Sequence, residues 1–246
     1  MKIIKEKDLY YLITDEQKIK LEMEVVSKYR LYYEHENIPF QEVIKENNYY
    51  FYYNLALKRL AKMQSVKMLE NYLIEKNIDN DTLSKVIKRL KELNYLDDYE
   101  YARNYIRLKM YSFGPINIEK KLYEDGVHYS IIKELISEID EEEILTELLQ
   151  KDLQKISSSK HSYKQKLTRR YYSKGFNLSL INEILSELLD DISYDEIDSL
   201  KKDYHKIKSK AKSDDASDYE KKMKIREKLL RKGYLLENIK KVEERY

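Results

Sequence analysis

Cysteine is absent from this 246-residue chain, which excludes disulfides and thiolate metal sites and suits a reducing compartment. Proline occurs twice and glycine four times. So few helix breakers argue against a many-turned β protein and for long helices. Tryptophan is missing, although there are 25 tyrosines. Beside abundant Lys, Ile and Asn, that excess reads as the mark of an A/T-rich genome rather than as base-stacking platforms. No run of about 18 apolar residues is present, so no membrane helix is expected, and Met1 to Lys7 carries no apolar signal core. These absences predict a soluble, cytoplasmic protein.

What is present is charge. Charged residues make up 37% of the chain and mean hydropathy is -0.77, yet 42% of residues are apolar, enough for packed cores. The net charge is only +2, but the signs are segregated. Lys151 to Lys174 holds eight cations and one acid, Lys201 to Lys212 six and one, and Lys221 to Lys232 seven and one. Glu134 to Glu147 holds seven acids and no base. Blocks of one sign create fields felt over about 8 Å at physiological salt, and three basic blocks point to a polyanion or an acidic groove.

One apolar skeleton recurs. Leu69, Leu73, Asn77, Ile78, Leu83, Val86 and Leu90 reappear 49 residues on as Ile118, Leu122, Gly126, Val127, Ile132, Leu135 and Ile139. A second step of 49 gives Leu167, Tyr171, Gly175, Phe176, Ile181, Ile184 and Leu188, and a step of 58 gives Ile225, Leu229, Gly233, Tyr234, Ile239 and Val242. The chain therefore reads as mostly α, with tandem three-helix repeats in an elongated, curved array. The expected units are 49–96, 97–146, 147–193 and an irregular 194–246, whose nine extra residues are expected in Lys208 to Asp218. A small α+β extension over 1–48 precedes them. It comprises a hairpin of Leu9 to Ile13 with Lys18 to Leu21, joined by Thr14 to Gln17, and a short helix from Pro39 through Ile44. Between these, Met23 and Val25 either continue the strand or belong to a helix with Met23, Val26 and Leu31 on one face.

Local signals agree with helices. Ser65 is suited to N-cap the second helix of the first unit, and Asn77 then Asp79 supply a left-handed residue and a new cap. Gly126 and Gly175 fill the Asn77 position, as a helix C-terminus demands. Gly114-Pro115 supplies a tight turn and a preset first helical turn. Asp97 and Asp98 read as a cap rather than as catalytic carboxylates. Histidines 35, 128, 161 and 205 show no ligand spacing, and no nucleophile motif or phosphate loop is present. Neither an enzyme nor a cofactor is expected.

At Leu96-Asp97-Asp98-Tyr99-Glu100-Tyr101-Ala102, followed by Gly114-Pro115-Ile116-Asn117-Ile118, Leu122 and Asp125-Gly126-Val127, the sequence resembles the RecX family of bacterial recombination regulators. Lys174-Gly175-Phe176 is similar to the turn of that family's third repeat, and Leu9 to Ile44 to the extension of its longer members. Two positions depart from the pattern. Lys62-Met63-Gln64-Ser65 stands where the family has an Arg-Pro-Arg-Ser-like stretch, and Asp125 replaces a basic residue. The resemblance implies binding to the RecA recombinase filament on single-stranded DNA and restraint of its recombinase, ATPase and coprotease activities. That would place the chain in the regulation of DNA repair, recombination and the SOS response, acting as a monomer without a membrane. The alternatives are a helix-turn-helix-like DNA-binding regulator and a generic helical scaffold. The first suffers from exposed Glu134 and Glu138 on its candidate recognition helix. Around Leu167 and Tyr171, the cations Lys164, Lys166, Arg169, Arg170 and Lys174 are expected to fill the outward arc of an amphipathic helix and to meet phosphates or partner acids. Arg103 and Arg107, four residues apart, form a second candidate.

Overall fold

A computed structural model describes residues 2–15, 17–33, 38–211 and 217–245. It forms two compact units, Met1–Tyr105 with Lys121–Leu135, and Ile106–Lys120 with Ile136–Tyr246. The fold is mostly helical, with a small N-terminal sheet.

The first unit opens on strands β1 (Lys2–Glu6), β2 (Leu9–Ile13) and β3 (Lys18–Leu21), paired antiparallel in the order β1-β2-β3. The expected hairpin is present, with Ile13 opposite Lys18. The sheet, however, has a third strand. Its signal was weak because β1 is an edge strand that buries no residue and turns through Lys7 (φ 56°) and Asp8 without a glycine. Helix α1 (Met23–Lys28) settles the rivalry over Met23 and Val25 in favour of a helix. Its buried residues are Val25 and Val26, and Met23 is exposed, which corrects the expected face.

Helix α2 (Phe40–Arg59) also departs from expectation. The short helix ending at Ile44 is the first part of a 20-residue helix that passes residues 48 and 49 without a break. Nothing between Phe40 and Arg59 interrupts the ladder: neither Gly nor Pro occurs there. Val43 packs with Tyr10, Leu12, Leu21, Val25, Val26 and Leu31, while Tyr52 and Ala56 pack in the core of the first repeat. Asn47 is buried and its side chain is used sideways. Its Oδ1 accepts from the Glu22 amide at 2.7 Å and its Nδ2 donates to the Lys20 carbonyl at 2.9 Å, pairing the open edge of β3.

The first repeat continues with α3 (Val66–Ile74) and α4 (Asn80–Glu92). The second is built from α5 (Asp98–Lys109), α6 (Pro115–Glu124) and α7 (Tyr129–Ser137). In the second unit, α8 (Glu141–Leu153), α9 (Lys160–Ser173) and α10 (Leu178–Asp191) enclose one core, including Leu149, Leu167, Tyr171, Phe176, Ile181 and Leu185. Helices α11 (Ile197–Ala211), α12 (Asp218–Arg231) and α13 (Leu236–Glu243) enclose another, around Leu200, Tyr204, Leu229, Tyr234 and Ile239. Part of the expected nine-residue insertion extends α11 to Ala211; residues 212–216 lie outside the described residues.

Every second helix ends alike. At Asn77 (φ 63°), Gly126 (φ 86°), Gly175 (φ 90°) and Gly233 (φ 83°) the chain enters the left-handed region. The two hydrogen bonds of a Schellman motif follow each time, as in Val127 N to Leu122 O at 3.1 Å and Gly126 N to Tyr123 O at 3.0 Å. The flanking pairs Leu73–Ile78, Leu122–Val127, Tyr171–Phe176 and Leu229–Tyr234 are all buried.

Three of these turns, at Gly126, Gly175 and Gly233, meet the start of another second helix. The hydroxyl of Ser65 accepts from the Met68 amide at 3.2 Å and donates to the Asp125 carbonyl at 2.5 Å. The hydroxyl of Ser159 likewise accepts from Ser162 and donates to the Lys232 carbonyl. Between them, the Gly114 amide donates to the Lys174 carbonyl at 2.8 Å. A Cβ on Gly114 would lie 2.3 Å from the Gly175 carbonyl oxygen, so only glycine permits that approach. The first N–H of α3 donates to Asp98 at 2.8 Å and that of α9 to Glu196 at 2.5 Å. Helix α6 begins with Pro115, which has no N–H to satisfy.

Gly114→Ala should therefore lower stability by about 2–4 kcal/mol, because backbone must move to admit the methyl group. Asn77→Gly should be neutral or add up to about 1 kcal/mol, since the left-handed conformation is already adopted there. Urea denaturation of the two variants measures both.

Candidate partner-binding surface

Helix α9 shows how the basic block is deployed. Tyr163, Leu167 and Tyr171, at four-residue spacing, form its buried stripe. At about 100° per residue, Arg170 and Lys174 fall beside that stripe rather than opposite it. Arg170 pairs with Asp152 on α8 at 2.7 Å. Lys174 is half-buried over the Tyr171 ring at 5.1 Å, and burial together with nearby Arg170 lowers its ammonium pKa. Lys164 donates to Ser186 on α10 at 2.6 Å. Of the five expected cations, Lys166, Arg169 and Arg170 are exposed and Lys164 and Lys174 are half-buried, and Lys164, Arg170 and Lys174 also make contacts within the unit. Lys166 lies 5.5 Å from the Tyr163 ring centre. On α5, Arg103 and Arg107 are both exposed, and Arg103 makes a long 3.4 Å pair with Glu100.

A further cation was not singled out in the sequence. Lys160 donates through Nζ to the carbonyls of Leu189 and Ile192, each at 2.8 Å, and so closes the end of α10. The aspartate pair divides its work. Asp97 caps α5 through the Tyr99 amide at 2.7 Å, while Asp98 serves α3 and has its pKa raised, chiefly by burial.

Three phenol–carboxylate bonds recur, one buried and two part-buried, each with a cation on the same carboxylate. Tyr101 donates to Asp125 at 2.7 Å, and Lys121 pairs with that aspartate at 2.6 Å. Tyr171 donates to Asp152 at 2.8 Å beside Arg170. Tyr234 donates to Asp203 at 2.9 Å, with Lys232 at 2.6 Å. Forty-nine residues before Tyr101 and Asp125, the same positions hold Tyr52 and Lys76, and there the phenol donates to the Lys76 carbonyl at 3.0 Å. Asp125, a departure in the sequence pattern, is thus a buried partner rather than a lost surface charge. Burial and the facing carboxylate push all three phenols well above the ordinary tyrosine range.

Among the described residues, no group of three or more His, Asp or Glu side chains is placed to hold a metal ion, and no helix is long and apolar enough to cross a membrane. The arrangement is one of helix termini locked to each other, with chosen cations left outside.

The raised phenols fix a sign. The folded chain holds these protons more tightly than the unfolded chain, so their stabilisation is complete below pH 10 and is lost as pH rises beyond it. Alkaline unfolding followed by circular dichroism should begin above pH 10. Tyr101→Phe should cost about 1–3 kcal/mol at neutral pH by stranding a buried carboxylate oxygen. On α9, Arg170→Ala should cost about 1 kcal/mol, whereas Arg169→Ala should stay within about 0.5 kcal/mol, as thermal unfolding will report.

Comparison with protein-family models finds no match. Comparison with curated proteins does. The chain is 34% identical to a regulatory protein RecX of Clostridium perfringens over 158 residues, which covers 61% of this chain and 74% of that one. It is 29% identical to a regulatory protein RecX of Streptococcus mutans, covering 100% of this chain and 98% of that one. Among solved structures, RecX from Lactobacillus salivarius matches with a TM-score of 0.53 and 28% identity, over 60% of this chain and 99% of that one.

Proposed function

This chain belongs to the RecX family of regulatory proteins, and we propose that it binds the RecA recombinase filament on single-stranded DNA and restrains it. The likeness to a family relative along the full chain is the observation that carries this reading. In it, the protein is a monomeric cytoplasmic regulator and not an enzyme. It inserts along the filament groove and limits strand exchange, ATP turnover and coprotease action. Lys166 and Arg169 of α9, with Arg103 and Arg107 of α5, are the cations assigned to phosphates or to acids of the filament. Lys164 and Arg170 also hold α9 to α10 and α8, and Lys174 packs over Tyr171 of the same helix. Contact with bare single-stranded DNA is weak and electrostatic. A base-reading role is disfavoured, because Glu134 on α7 and Glu138 just after it are both exposed.

Added in stoichiometric amounts, the purified protein should lower DNA-dependent ATP hydrolysis by its cognate RecA; undiminished hydrolysis would sink the reading. Replacing Lys166 and Arg169 together with Ala should weaken filament binding and cut the salt slope by about 1.4, at about 0.7 per phosphate contact on a single strand. Helicity should be unchanged.

A further inference from the structure

The residue just before each left-handed turn has a property the core does not require. Four positions are equivalent by repeat spacing: Ile74, Tyr123, Tyr172 and Leu230 each lie three residues before Asn77, Gly126, Gly175 and Gly233. All four are large and apolar, and they are 53%, 68%, 59% and 45% exposed. The hydrophobic contact of each Schellman motif is already made by the neighbouring buried pairs, such as Leu122 with Val127. The exposed residue therefore adds nothing to the cap. In a chain with 37% charged residues, an exposed helix position that stays apolar in four repeats out of four is not scattered surface. Beyond the turn, the first residue of the third helix repeats the pattern. Tyr129, Leu178 and Leu236 are exposed there, and only the first repeat has a polar residue, Asn80.

We infer that these turns are apolar docking knuckles, one per repeat, that seat in hollows on successive subunits of a homopolymeric protein partner. The inference rests on the RecA reading above and names the protein surface, rather than the DNA, as what the knuckles grip. Two observations select protein. Ile74 and Leu230 are aliphatic, so what the four share is apolarity and not a ring on which a base can stack. The two residues that follow them differ in sign from repeat to repeat, Glu75-Lys76, Glu124-Asp125, Ser173-Lys174 and Arg231-Lys232, which does not suit a phosphate backbone. One knuckle per repeat matches a target that repeats in its own right.

The test uses the full chain with Ile74→Ser, Tyr123→Ser, Tyr172→Ser and Leu230→Ser, singly and combined. Circular dichroism confirms that each variant is folded. Affinity is measured for RecA filaments on single-stranded DNA and for the same DNA without RecA. Each single substitution should weaken filament binding about three- to tenfold, and the combined variant by more than a hundredfold, with bare-DNA affinity unchanged. Tyr123→Leu and Tyr172→Leu should retain filament binding. If the combined variant binds filaments like the parent, or if Tyr→Leu and Tyr→Ser variants lose affinity for bare DNA alike, the knuckles do not grip protein. A parent chain that fails to bind filaments at all overturns the functional reading itself, a different outcome from variants that bind unchanged.

Discussion

An α-helix leaves carbonyls unpaired at one end and amides unpaired at the other, and most of this structure follows from letting one helix end satisfy another. At Ser65 and Ser159 a single hydroxyl does two tasks, accepting from its own helix and donating to the carbonyl that precedes a left-handed residue elsewhere. At Gly114 the backbone amide makes the same bond without a side chain. A hydroxyl with one proton and two lone pairs is the smallest group able to do both, which is why serine, not a larger residue, stands at two of the three joints. The left-handed residue is required on the other side, because it turns the chain aside and lets the incoming helix approach to contact distance.

Around each joint the buried polar groups are satisfied in threes. Tyrosine, aspartate and a lysine or arginine share one carboxylate in three places. A buried carboxylate is costly alone and tolerable when a phenol and a cation both address it. The arrangement also sorts the cations. Those beside the buried stripe make internal contacts, and Arg169, on the far arc, is exposed. A basic block in the sequence is thus a mixture of structural and available charge, separated by the angular position of each residue on its helix.

The parts of the fold visible in the sequence are those set by local chemistry. Ser65 as cap, Asn77 and the glycines as left-handed residues, the Leu9 to Leu21 hairpin and the periodic core positions all depend on neighbours a few residues away. What escaped depends on distant partners. Strand β1 half-buries only Ile3 and Ile4, too short an apolar run to mark a strand. The role of Asn47 is set by the edge of β3, which occupies its side-chain amide from more than 20 residues away. The start of α9 lies a turn earlier than the 49-residue spacing implies, since the Lys232 carbonyl meets Ser159 and not Tyr163. At the candidate surface, the basic character of α9 was legible, but its division between Arg170 and Arg169 needed Asp152, 18 residues from Arg170, brought alongside by folding.

The unbroken helix α2 has a mechanical consequence. The strands at one end and the first repeat at the other are clamped to a single rod about 30 Å long, at 1.5 Å per residue over 20 residues. No hinge interrupts that rod, so a load on the sheet becomes leverage on the repeat. Cutting the gene where the repetition begins would saw through the lever instead of detaching an accessory.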